Sequence, residues 1–129
     1  MPVGIGVLMG VEAASLAVMS FLHLHGDLTD GAPPFRPVEA GIAEAIICVV
    51  LLAGAVAVWR IPGRARPVAV AATGFAIAGF LLGITVTIAG GATVDIAYHS
   101  TVLPLLVVTM VLLVRGSAGS RSTGQQNVT

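Results

Sequence analysis

The chain has 129 residues, 57% hydrophobic and 9% charged, with a mean hydropathy of +1.02 and a formal net charge of zero. About a quarter of the residues of a soluble domain are charged, so this composition excludes a water-soluble domain and places a single domain in lipid. Six arginines and no lysine, balanced by six acids, leave no footprint for nucleic acid, and a lone Cys48 excludes an internal disulfide and any CxxC metal motif.

Residues 3–24 form the first apolar stretch, with no Lys or Arg ahead of it and a length beyond that of a signal h-region, so a retained span is expected. At 100° per residue Glu12, Ser15, Met19 and His23 share one face, opposite a small-residue stripe of Gly6, Gly10, Ala13 and Ala17 that contains "GVLMG". The stretch ends in "HLHGDLTDG", where Gly26 reads as a C-cap, His25 as a last-turn residue and Asp27 and Asp30 as turn formers. A second span, 38–59, follows Pro37; Glu39 suits its N-terminus, while Gly41, Glu44, Cys48, Leu51 and Ala55 share a face. Cys48 reads as a small buried apolar residue.

After "RIPGRARP" comes a third span, 68–89, with Ala72, Ala76, Gly79, Gly83 and Gly90 in one stripe that includes "GFLLG". The turn "GGATVD" leads to a fourth span, 96–114, on which Asp95, His99, Val102, Leu106 and Thr109 align. Asp95 is expected to cap this helix and Pro104 to bend it by removing the bond to the Ser100 carbonyl. Each span is about 19–22 residues, a match to a ~30 Å hydrocarbon core. The predicted fold is an all-α, four-helix transmembrane bundle over 1–115, with a Gly/Ser-rich, disordered cytoplasmic tail at 116–129.

Arginine placement predicts the orientation. Arg60, Arg64 and Arg66 in the second loop and Arg115 and Arg121 after the fourth span lie on one side, against Arg36 on the other. The positive-inside rule makes that side cytoplasmic, giving a multi-pass plasma (inner) membrane protein with both termini inside. Trp59 and Tyr98, at span ends, are expected at headgroup level. All three histidines and five of the six acids then fall near the extracytoplasmic side.

Three of these polar residues, His23, Glu44 and His99, come from different helices at similar depth, and Glu12 lies deeper at span centre. Intramembrane ionisable groups are costly and mark functional sites by default. The faces point to a polar interior that opens outward. Two chemistries suit it. His23, His99 and Glu44 form a mixed His/carboxylate set for a transition metal, or His23 and His99 for the axial positions of a haem. Alternatively Glu12 and Glu44 are the proton- and ligand-binding groups of a proton-coupled small-molecule transporter. Catalysis on a lipid or isoprenoid is compatible with a His/Glu pair, but the sequence has no nucleophile motif, phosphate loop or aspartate-rich motif.

An accessory role is the remaining class, the small-residue stripes packing against a partner membrane subunit or a second copy in a homodimer, within the lipid bilayer. In length, span number and a first-helix glutamate, the chain is similar to the small multidrug resistance exporters. That resemblance implies an antiparallel dimer exchanging protons for cationic drugs, with Glu12 as the shared residue; the acidic first loop, the histidines and the arginine bias depart from it. Its size also resembles that of the four-span fluoride channels. "GFAIAGFLLGITVTIAGG" followed by "DIAYHSTVLPLL" resembles small four-span membrane proteins of high-GC bacteria, and implies fold and location without transferring any site residue.

Overall fold

The computed structural model describes residues 3–116. Four helices account for nearly all of them: α1 (Val3–His25), α2 (Pro37–Arg60), α3 (Ala65–Gly90) and α4 (Thr93–Arg115). There is no strand among the described residues, only an isolated bridge between Gly31 and Gly91. Each helix is long and apolar enough to cross a membrane. The 116–129 tail lies outside the described residues apart from Gly116.

Short connections force sequential helices to run antiparallel, and each packs on its neighbour in sequence, while α1 and α4 close the ring with a sparser contact. α3 begins three residues before its expected start, because Arg66 and Pro67 enter the first turn, where a proline's missing N–H is no loss. Arg66 there donates to the Val114 carbonyl at 2.6 Å, satisfying one of the open carbonyls at the end of α4. α4 continues through Pro104, whose side chain faces outward.

The bundle has an inverted polarity. Its outer surface is Val7, Val11, Ile46, Val49, Leu82, Ile88, Val108 and similar side chains, all exposed. Its interior combines an apolar core around Met9, Leu16, Leu51, Phe80 and Leu106 with buried Glu12, His23, Glu44, Thr73, Asp95, His99 and Thr109. Apolar outside and polar inside is what lipid selects, since hydrocarbon solvates the outer faces and only the interior can satisfy polar groups.

The small-residue stripes serve only in part as close helix-crossing seams: Ala72 and the Ala69 backbone of α3 lie close to Gly54 of α2, and Ala13, Ala72 and Ala76 are buried. Nothing packs within 4 Å of a Cβ placed on Gly10, and Ala17 is exposed. Gly6 makes room for the Trp59 indole, Gly79 for Ile47 and Gly83 for the His99 ring, so these glycines admit side chains rather than a facing backbone.

Candidate functional site

Three helices converge at the end of the bundle carrying the first and third loops. His23 from α1 lies 1% exposed, with Nδ1 2.8 Å from Glu44 Oε2 of α2 and Nε2 3.0 Å from Asp95 Oδ1 of α4. The Glu44 contact is a hydrogen bond. The Asp95 contact is close but off the line of a good one, an ion-pair geometry. In both contacts a nitrogen faces a carboxylate oxygen, and two lone pairs at that distance repel unless a proton lies between them. At least one proton therefore lies between His23 and Glu44, and a second, on Nε2, would pair the imidazolium with Asp95.

Local sequence explains the convergence. His23 and Ser20 lie on the buried face of α1 beside Gly41 of α2, where a Cβ would touch His23 Cβ at 3.0 Å. Ser20 Oγ donates to the Gly41 carbonyl at 2.7 Å, fixing this crossing, and Glu44 sits three residues further into α2. Asp95 is in the first turn of α4, where the helix dipole favours a carboxylate. It does not cap the helix as expected: the N-cap is Ala92, without a side-chain cap bond, because the Asp95 carboxylate turns inward to His23.

His99 follows one turn later. Its Nδ1 donates to the Asp95 carbonyl at 2.9 Å and its ring packs on Phe80, with centroids 4.9 Å apart. That leaves Nε2 facing the space above Gly83. This space belongs to a cavity of about 390 Å³ between α2 and α3, lined by Glu44, Ile47, Phe75, Phe80, Gly83 and His99 among others. Its rim includes Ile46, Phe75, Leu82 and Val86, all exposed on the outer surface of the bundle, so it opens sideways between two helices. Arg36 and Glu39, 2.9 Å apart and exposed, stand where the cavity meets the first loop.

The end of the bundle is closed. Gly26, at φ +81°, terminates α1 with Asp27 N–H and Leu28 N–H donating to the Leu22 carbonyl. The loop 26–36 then crosses to the α3–α4 turn, where Ala32 N–H donates to the Gly90 carbonyl at 2.7 Å. Phe35, 5% exposed, inserts edge-on over His23 with ring centroids 6.0 Å apart. Phe35 and the loop cover the triad itself, while the cavity beside it opens between α2 and α3 and reaches exposed Arg36 and Glu39 at the first loop.

Glu12 lies apart from the triad, about 16 Å along α1 from His23. Its Oε1 accepts from Thr109 of α4 at 2.7 Å and its Oε2 has no partner. Beside it Ser15 meets the Tyr98 hydroxyl at 3.0 Å, so Tyr98 turns into the bundle instead of taking the expected headgroup position. A shallow crevice between α1 and α4 is lined by Glu12, Ser15 and Tyr98.

The structure thus joins His23 and Glu44 directly, places His99 on the cavity that Glu44 also lines, and holds Glu12 separately. Asp95, Thr109 and Tyr98 complete the polar contacts; the signal for Asp95 was its place on the His99 face. Asp27 and Asp30 are exposed loop residues, and His25 stacks on Phe21 at 3.8 Å and donates to its carbonyl. Among the described residues no group of three or more His, Cys, Asp or Glu is placed to hold a metal ion. Both nitrogens of His23 are already directed at carboxylates, so the geometry adds nothing to the metal or haem expectation. Comparison with protein-family models, curated proteins and solved structures finds no match to this chain.

Proposed function

We propose that this four-span protein lies in the plasma membrane with both termini in the cytoplasm, and exchanges a proton on the His23–Glu44–Asp95 triad against a small molecule in the lateral cavity. The observation that carries this reading is the double role of Glu44. Oε2 is bound to His23, while Glu44 forms part of the cavity wall and its Oε1 is buried without a partner. A change at the cavity is therefore felt at the triad through one carboxyl group. The arginine distribution supports the orientation.

Infrared difference spectroscopy of the full chain in lipid nanodiscs across a pH step tests the proton site. The expected result is a titrating carboxyl C=O band that Glu44→Gln removes and Asp30→Asn leaves in place. A spectrum unchanged by Glu44→Gln refutes the reading.

A further inference from the structure

We infer that the lateral cavity holds a neutral, lipid-soluble phenol whose hydroxyl group donates a hydrogen bond to His99 Nε2. The inference names the ligand of the site proposed above. It rests on that reading's placing of a small molecule in the cavity, and not on the proton step. Three observations carry it.

The first is an unused acceptor. His99 is 8% exposed, and its Nδ1 bonds the Asp95 carbonyl at 2.9 Å. A carbonyl only accepts, so the ring proton sits on Nδ1, and the neutral ring presents Nε2 as a lone pair. His99 takes part in no ion pair among the described residues. Glu44 Oε1 is fully shut in, whereas His99 Nε2 keeps an open surface on the cavity beside Gly83. Glycine is what leaves it open: a Cβ at residue 83 would stand 2.9 Å from Nε2 and cover it.

The second is the chemistry of the complement. A carboxylate or phosphate head would set lone pairs against a lone pair. An ammonium would bring a charge with no carboxylate oxygen to meet it in the deep wall, since Glu44 Oε2 is bonded to His23 and Oε1 is buried. Arg36 and Glu39 at the mouth are paired with each other at 2.9 Å. A neutral O–H fits. It donates to Nε2, and the same oxygen accepts; Thr87, one turn beyond Gly83 on α3, brings a hydroxyl to the same cavity wall. A phenolic O–H, more acidic than that of an alkanol, is the stronger donor of the two.

The third is shape. The cavity, at about 390 Å³, falls within the roughly 300–1,000 Å³ of small-molecule pockets. Phe75, Phe80, Ile47 and Leu82 make its walls apolar and partly aromatic, and aromatic rings attract one another beyond the area they bury. The opening lies between helices, so an apolar tail on the ring reaches the hydrocarbon directly.

Nitrogen NMR of the full chain in lipid nanodiscs, with isotope-labelled histidine, reads the bond itself; the His99 resonances are those that His99→Gln removes. The probe is 4-pentylphenol, set against 4-pentylanisole, which lacks the donor, and against charged 4-pentylbenzylammonium and 4-pentylbenzoate. The expected result is a saturable shift of His99 Nε2 by the phenol, with Nδ1 still protonated, and none by the ether. Gly83→Ala sets a methyl group against Nε2 and leaves the triad alone. It should weaken phenol binding about tenfold or more while the carboxyl infrared band persists, which separates loss of the acceptor from misfolding. Equal binding of the ether, equal phenol binding in Gly83→Ala, or tighter binding of either charged probe overturns the ligand class. A His99 ring protonated on both nitrogens before any probe is added overturns it too. No phenol shift, with the infrared band present, defeats this inference and leaves the proton site standing. A phenol shift beside a band that Glu44→Gln does not touch defeats the proton step and leaves the ligand in place.

Discussion

His23 is the residue on which the site depends, because its two nitrogens are the only partners that Glu44 Oε2 and Asp95 Oδ1 have among the described residues. Removing one member of a buried charged set leaves the others unpaired, at a cost of about 3–5 kcal/mol. His23→Ala should therefore lower the unfolding temperature in mild detergent far more than His25→Ala, whose ring is exposed on Phe21. Adding Asp95→Asn to His23→Ala should recover part of that loss, since one buried charge disappears. Thermal unfolding of the three variants checks this, and a double mutant less stable than His23→Ala would show that the triad is not an electrostatic unit. Glu12 differs in kind: one hydrogen bond from Thr109 satisfies one oxygen, and among the described residues it forms no ion pair.

At the scale of elements, the first loop and the α3–α4 turn form one device. Gly90 has no room for a side chain, since a Cβ there would overlap the Ala32 carbonyl, and Ala32 holds the loop that carries Phe35. Gly90→Ala should free the loop without disturbing α1 or α2. Hydrogen exchange at the Ala32 and Phe35 amides should then accelerate by about tenfold or more, each factor of ten being about 1.4 kcal/mol of local opening, while the centre of α2 keeps its protection. Unchanged protection of those two amides would mean that the loop is held by something other than this bond. The loop's packing could not be read from "DGAPPFRP", where Gly and Pro mark a break but not its path. Phe35 has no periodic neighbours to reveal which way it turns. By contrast the buried faces of α1 and α4 were legible, because Glu12, Met19 and His23, and Asp95, His99, Val102, Leu106 and Thr109, recur at helical spacing and are all buried. Missing from that reading was the pairing across helices. Periodicity gives a residue's face but not its partner, so Asp95 read equally well as a cap, and Tyr98 as a headgroup residue.

For the whole molecule, composition and four long apolar runs were sufficient to specify an all-helical bundle, since lipid leaves so few alternatives for a chain this apolar. Its ends are chemically unequal. Arg60, Arg64, Arg66 and Arg115 cluster at one end, with Met9, Ala69 and Leu113 as an apolar floor beneath the interior, while the polar side chains gather toward the other. The orientation proposed from that inequality has a direct check. In a Cys48→Ala background, Asp30→Cys should react with a membrane-impermeant maleimide in intact cells, and Gly63→Cys only after lysis. The reverse pattern would invert the protein and turn the triad toward the cytoplasm.

The least-packed junction of the bundle is also its most polar. α1 and α4 barely interlock, yet Glu12 reaches Thr109, Ser15 reaches Tyr98 and His23 reaches Asp95 along its length. The arrangement resembles a book bound along α2 and α3 and fastened at its fore-edge by three polar clasps. Acyl chains pressing on the covers help hold it shut. The bilayer is then a working part of the closure, and the tightness of that edge becomes a property shared between the chain and the lipid around it.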